Sequence, residues 1–202
     1  IVTEDIESLF QLSPATTRLQ NVTHLARETE RLGKRQQALE TWTFVYNKQS
    51  EVSARLEALV HKTGLATELG KKEEAFAFFR NSLSLERETQ NCKTPLCEEN
   101  RKRLRQFITS WNQTEKKSPS ENLLKAYELF MENNPQDFEM ALWGAQAARE
   151  VKNQQLAWHF YMISLAPLKK SSGEAPRKQL ENALLSLIEV AEALKSDSLM
   201  AQ

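Results

Sequence analysis

Apolar residues recur along most of the chain at steps of three and four, the spacing that places them on one face of an α-helix. The stretch from Leu180 to Leu194 shows this spacing most clearly, and no segment alternates apolar and polar residues for long enough to indicate a strand. The pattern predicts an all-α chain with a loose linker over residues 168–174. After a short lead-in, nine long helices are expected at residues 14–32, 35–48, 51–69, 72–90, 95–113, 119–133, 135–151, 154–166 and 175–195.

Capping residues and glycines mark the expected helix ends. Gly33 and Gly70 each follow a leucine at the end of an apolar pattern, where a helix favours a left-handed residue. Four dipeptides place a capping side chain before a proline, which is typical of a first helical turn. They are Ser13-Pro14, Thr94-Pro95, Ser118-Pro119 and Asn134-Pro135.

One stretch of sequence occurs twice. Leu32–Ala38 matches Leu69–Ala75 with an offset of 37 residues, and the same offset joins Trp42 to Phe79. A small alanine lets two helices approach closely, and a bulky ring one turn later fills the space between one helix pair and the next. The sequence therefore predicts repeated helical hairpins, each reversing at a glycine.

The hairpin pattern resembles the tetratricopeptide repeat (TPR) family. A weaker copy runs from Met140 to Leu165, whereas Lys62 and Thr63 depart from the family's apolar and small residues. The resemblance implies an α-solenoid of TPR-like helical hairpins with a C-terminal capping helix. Its expected parts are a lead-in helix over 1–18, repeats at about 19–50, 56–90, 95–133 (irregular) and 135–167, and a capping helix and tail over 175–202.

In the resembled family, the first helix of each hairpin lines a concave groove that holds a peptide or a partner's helix. The alternative is a solvated inner face that binds nothing in particular. Some members grip a terminal carboxylate with Lys and Asn residues, and this clamp is not reproduced here. Carried over by position, the partner-binding residues are His24, Arg27, Arg31, His61, Thr67, Trp143, Gln146 and Arg149, and the same groove would include Thr23, Val60, Gly64, Glu68 and Leu142.

Composition argues against several classes of function. Lys and Arg total 27, as do Asp and Glu, so the chain lacks the net positive charge of a general nucleic-acid binder. The sequence shows no nucleophile elbow, phosphate loop or metal-binding helix, so we expect no enzyme activity, catalytic residue, metal, cofactor or small-molecule substrate. His24 and His61 share one repeat position and could form a metal or pH-responsive pair, but no third ligand is evident. No apolar run is long enough to predict a transmembrane segment.

The two cysteines bear on the compartment. Cys92 and Cys97 are separated by four residues that include a Thr-Pro turn, so a disulfide between them is expected. This favours an extracytoplasmic, periplasmic or envelope-associated location, and the alternative is two free thiols in a cytoplasmic protein. The chain begins without methionine, which is expected of a processed protein or a fragment.

These expectations combine into a non-catalytic protein-protein interaction scaffold that binds a protein or peptide partner, within a bacterial cell-envelope assembly. The bacterial setting rests only on how widely the resembled family is used. Two alternatives are a helical accessory domain of a larger, cell-wall-modifying enzyme and an architectural subunit that self-associates into a homo-oligomer.

Overall fold

The computed structural model of the chain describes residues 3–88 and 95–200, and in these ranges it contains helices and no strand, which confirms the all-α prediction. There are ten α-helices in the described ranges. They are α1 (Thr3–Leu12), α2 (Arg18–Arg31), α3 (Arg35–Lys48), α4 (Val52–Glu68), α5 (Lys72–Glu88), α6 (Pro95–Thr114), α7 (Glu121–Asn133), α8 (Phe138–Glu150), α9 (Gln154–Lys170) and α10 (Glu174–Met200).

Three hairpins reverse through the same turn. Gly33 and Gly70 have φ of 71° and 73°, as the sequence predicted, and Lys152 takes the same left-handed conformation with φ of 60°. In each turn the next residue's N–H bonds to the carbonyl five residues earlier, for example from Lys34 to Thr29 at 3.0 Å. This is the Schellman pattern, which satisfies the carbonyls at the end of a helix.

The predicted repeat core is present. Ala38, Ala75 and Ala157 are buried at the start of the second helix of their hairpins, and Trp42 and Phe79 are buried one turn later. The Phe79 ring lies 5.2 Å from that of Phe107 on α6, so an aromatic residue does fill the space between successive helix pairs.

The chain divides into two compact units, Ile1–Phe107 and Ile108–Gln202. In the first unit, α2 packs on α3, α3 on α4 and α4 on α5, and α1 covers α2 and α3. In the second unit, α7 packs on α8, α8 on α9 and α9 on α10. Helices that pack chiefly on their neighbours in sequence define a solenoid of hairpins, and α10 is its predicted C-terminal capping helix.

Three predicted helix starts were wrong by two to four residues, and in α7 and α8 a polar residue nearer the helix forms the cap. Ser13 ends α1 instead of starting α2, since its hydroxyl donates to the Leu9 carbonyl at 2.8 Å. Ser120 caps α7 in place of Ser118, and Asp137 caps α8 in place of Asn134. In these three cases the proline lies in the turn before the helix, whereas α6 does begin at Pro95.

The linker predicted over residues 168–174 was also too long. Helix α9 continues to Lys170 and α10 begins at Glu174. Leu168 is buried, so the helix continues far enough to place this side chain in the core. Two lysines in the last turn also interact favourably with the negative end of the helix dipole. The connection is therefore reduced to residues 171–173.

The described residues bear on two further expectations. No described helix is long and apolar enough to cross a membrane. Cys97 is buried on α6, but Cys92 lies outside the described residues. The disulfide, and the extracytoplasmic location inferred from it, stay predictions.

Candidate partner-binding surface

In the first unit, side chains connect each first helix to the next. Arg27 of α2 pairs with Glu57 of α4, with 2.6 Å between Nη2 and Oε1. His61 of α4 lies with Nδ1 2.8 Å from a carboxylate oxygen of Glu30 on α2. Arg103 of α6 places Nη1 3.0 Å from His61 Nε2. We call the exposed sides of α2, α4 and the part of α6 in this unit the first-helix face.

His61 is the centre of this network. Its ring stacks on Trp42 with centroids 4.2 Å apart and an angle of 9° between the planes. Trp42 Nε1 donates to the same Glu30 oxygen at 2.9 Å. The contacts with Glu30, Arg103 and Trp42 hold the imidazole on three sides.

The surroundings of the Glu30 carboxylate favour its ionised form. Its burial raises its pKa, but the hydrogen bond and electrostatic attraction of His61, the hydrogen bond from Trp42 and the charge of Arg103 outweigh that effect. The pKa of Glu30 is therefore below its ordinary value, and the group stays ionised at neutral pH.

The predicted residues of the first unit differ in how they are held. Arg27 and His61 belong to the network. Arg31 pairs with Glu28 on its own helix at 2.8 Å, and the Thr67 hydroxyl donates within α4. His24, like Arg31 and Thr67, is exposed. The structure thus ties Arg27 and His61 to neighbouring helices, and Arg27 is exposed like the other three.

The predicted residues of the second unit lie on α8. Trp143 is exposed, and Gln146 donates to Glu150 one turn along the same helix at 2.8 Å. Arg149 connects α8 to α10 through Glu189, with 2.8 Å between their side chains. Arg149 therefore links α8 to the capping helix, and a role for these residues in partner binding stays a prediction.

Sequence reasoning missed the residues that hold His61. Trp42 was expected only as a packing residue, and neither Arg103 nor Glu30 was named among the partner-binding residues. The sequence holds no simple signal for Arg103, because the 37-residue period is lost before α6 and the phase of that helix cannot be carried over.

Lys62 is buried in the same unit, with only 5% of its surface exposed. Its ammonium lies 4.2 Å from the centroid of the Phe78 ring and 5.1 Å from that of Tyr46. Burial lowers the pKa of Lys62, and the charge of Glu74 opposes this only in part. The two rings compensate some of the lost hydration through cation–π attraction.

Gly64 lies in the middle of α4, on the first-helix face between His61 and Thr67. A Cβ built there would meet no atom within 4 Å, so no packing contact requires a glycine. Glycine inside a helix costs roughly 0.5–1 kcal/mol relative to alanine. The result is a stretch of bare helix backbone open to solvent beside the His61 network.

Other features of the described residues do not form a site of comparable definition. A shallow depression between α7 and α9 is lined by Glu121, Lys125, Glu128 and His159, two of which already pair with each other. Among the residues that the structure describes, no group of three or more His, Cys, Asp or Glu could hold a metal ion.

No protein-family model matches the sequence, and no curated protein is significantly similar to it. A crystal structure of a kinesin light chain with nearly identical TPR-like repeats, from Podosopora anserina, is similar over 92% of this chain and 99% of that chain. The sequence identity is 15% and the TM-score 0.46, so nothing about that protein's function transfers to this chain.

Proposed function

We propose that this chain is a non-catalytic scaffold that binds a peptide or an exposed segment of a partner protein on the first-helix face. The binding residues would be His24, Arg27, Arg31, His61 and Thr67. Trp143, Gln146 and Arg149 would extend the same role to α8.

The observation that carries the proposal is Gly64. The glycine destabilises α4, and nothing within the first unit requires it. A glycine in such a place allows another backbone to approach closely, because no side chain stands in the way. Exposed His24, Arg31 and Thr67 would then supply hydrogen bonds around the bare backbone.

The His61 network supports binding because it already orders the helices, so the surface loses less conformational entropy when a partner binds. Cross-helix bonds from α2 to α4 and from α4 to α6 fix the spacing of three helices before any partner arrives. Association loses less free energy when the surface is already ordered. A scaffold of this kind needs no chemical step.

The experiment is a selection from a displayed library of random peptides against the immobilised chain, followed by titration of the selected peptides by calorimetry. The decisive variant is Gly64→Gln, since glutamine occupies the equivalent position, 146, in α8. The added side chain should weaken binding by more than about tenfold, while thermal stability stays equal or rises because a helical glycine is removed.

Ser84→Gln is the matched control, because Ser84 is exposed on α5, a second helix of the same unit. It should leave peptide binding unchanged. Selected peptides that bind the Gly64→Gln variant as tightly as the original chain would contradict the proposal.

We further propose a cell-envelope location, which rests on the predicted disulfide between Cys92 and Cys97 and on no structural observation. Protein prepared without reductant should gain the mass of two hydrogen atoms when it is reduced. An unchanged mass would remove the argument for an oxidising compartment.

A further inference from the structure

The capping helix exposes an unusual amount of apolar surface. Terminal helices of solenoids are expected to be polar on their outer side. On α10, however, Leu184 is 42% exposed, Leu185 61% and Ile188 57%. On α9, Trp158 and Met162 are 38% and 47% exposed, one turn apart. We call these five residues the end face.

The five side chains lie on two helices that pack on each other. On α10, Glu189 pairs with Arg149 of α8. Leu184 and Ile188 lie about 100–140° around the helix from Glu189 and Leu185 about 40° from it, and none of the three is on the buried side formed by Ala183, Leu187 and Val190. On α9, Trp158 and Met162 lie one turn apart, and Met162 lies about 60° around the helix from His159, which borders the depression against α7. The end face is therefore the exposed apolar part of the packed α9–α10 pair.

We propose that the end face binds the end face of a second copy of this chain, with the two α10 helices antiparallel. Such a contact is isologous, so one patch must complement itself. Leu184 and Leu185 at its middle would be removed from water in both copies, which is the main favourable contribution to association.

The charges along α10 show this self-complementarity. When Leu184 of one copy lies opposite Leu185 of the other, Arg177 falls opposite Glu192 and Glu174 opposite Lys195, while Glu181, which pairs with Arg177 on its own helix, falls opposite Ile188. The two-fold axis that relates the two copies generates each of these pairs twice. A parallel arrangement would instead place each charge opposite its own copy and would be repelled. The spacing of charges therefore favours a second copy in one orientation.

The test measures the mass of the full chain by sedimentation velocity over a range of concentrations. The chain should dimerise as concentration rises. Leu184→Asp combined with Ile188→Asp should raise the dissociation constant by more than about a hundredfold, because two buried apolar side chains become charged. Leu32→Asp changes an equally exposed leucine in the first unit and should leave the dimer intact.

A charge exchange tests the orientation without touching the apolar residues. Arg177→Glu alone and Glu192→Arg alone should each weaken the dimer, and the double variant should restore it. Arg80→Glu, an exposed cation on α5, is the matched control. A chain that stays monomeric at every concentration, or a dimer unaffected by the aspartates, would overturn the proposal. Failure of the double variant to restore the dimer would overturn the antiparallel pairing.

These outcomes are distinct from those of the peptide-binding test. The first-helix face and the end face belong to different compact units. Loss of the dimer in the aspartate variant with peptide binding retained would support the end face alone.

Discussion

Helices α4 and α8 occupy the same place in their hairpins but solve the same packing problem differently. Lys62 and Gly144 each lie 13 residues before the buried alanine of the following helix. In α8 a Cβ on Gly144 would come within 3.1 Å of the Phe160 ring. The glycine is therefore required for close packing. In α4 the same position holds Lys62, whose ammonium lies over the equivalent Phe78 ring.

Two residues further along, the roles are reversed. In α4 this position is Gly64, exposed and without neighbours, and in α8 it is the exposed Gln146. The glycine of α8 thus serves the hairpin, whereas the glycine of α4 serves nothing inside its own unit. Packing within the hairpin explains Gly144, whereas no contact inside the first unit explains Gly64.

The largest expected effect comes from placing the residue of α4 into α8. Gly144→Lys should destabilise the protein by about 3 kcal/mol, because a side chain would be forced into the space that the Phe160 ring fills. Urea unfolding followed by circular dichroism measures this. Gln146→Gly changes a neighbouring exposed residue and should cost no more than about 1 kcal/mol. Equal losses in the two variants would show that Gly144 is not a packing residue.

Removing the buried charge of α4 should raise the stability of the protein, whereas Gly144→Lys lowers it. Lys62→Met keeps a flexible chain of similar volume and should stabilise the protein by about 1 kcal/mol at pH 7, since burial of the ammonium costs more than the two rings return. Urea unfolding at pH 7 measures the change. A loss of stability would mean that the cation–π contacts outweigh desolvation.

The pH dependence of stability gives a second measure of the cost of burying the Lys62 charge. The pKa of Lys62 in the folded chain is lowered, while the unfolded value is about 10.4. Between these two pKa values the unfolded chain binds more protons, so this residue makes stability rise with pH. Below that window the cost of the buried charge is present in full. The advantage of Lys62→Met should therefore be greatest at neutral pH and disappear as the pH passes about 10.4.

The smallest effect concerns the turns that follow the two helices. Gly70 ends the turn after α4, and Lys152 takes the same left-handed conformation after α8. Lys152→Gly should stabilise the protein by about 0.5–1 kcal/mol, because a side chain is unfavourable at positive φ. Thermal melting measures this. Lys34→Gly, at a residue with φ of −80°, should bring no gain.

Much of the fold could be predicted because it depends on local spacing. The apolar periodicity located the helices, and the leucine-glycine pairs located the turns at Gly33 and Gly70. Helix starts were less accurate: proline at position 119 or 135 does not open a helix when Ser120 or Asp137, which is closer to the helix, can cap it.

The candidate site could be predicted only in part. Repeat position placed Arg27 and His61 on first helices, which follows from the 37-residue offset. It could not show that His61 stacks on Trp42 or contacts Arg103, since those contacts join three helices far apart in sequence. It also could not separate Gly64 from Gly144, because both occur in the middle of a helix.

The sequence by itself determined the helical class, the hairpin repeat and the left-handed turns, because these depend on residues within a few positions of one another. The tertiary structure alone decided which polar groups bond across helices, which glycine is pressed against a ring, and which side of the capping helix stays apolar and exposed. These properties depend on the rotation of each helix against its neighbours, and that rotation is set by packing over long sequence distances.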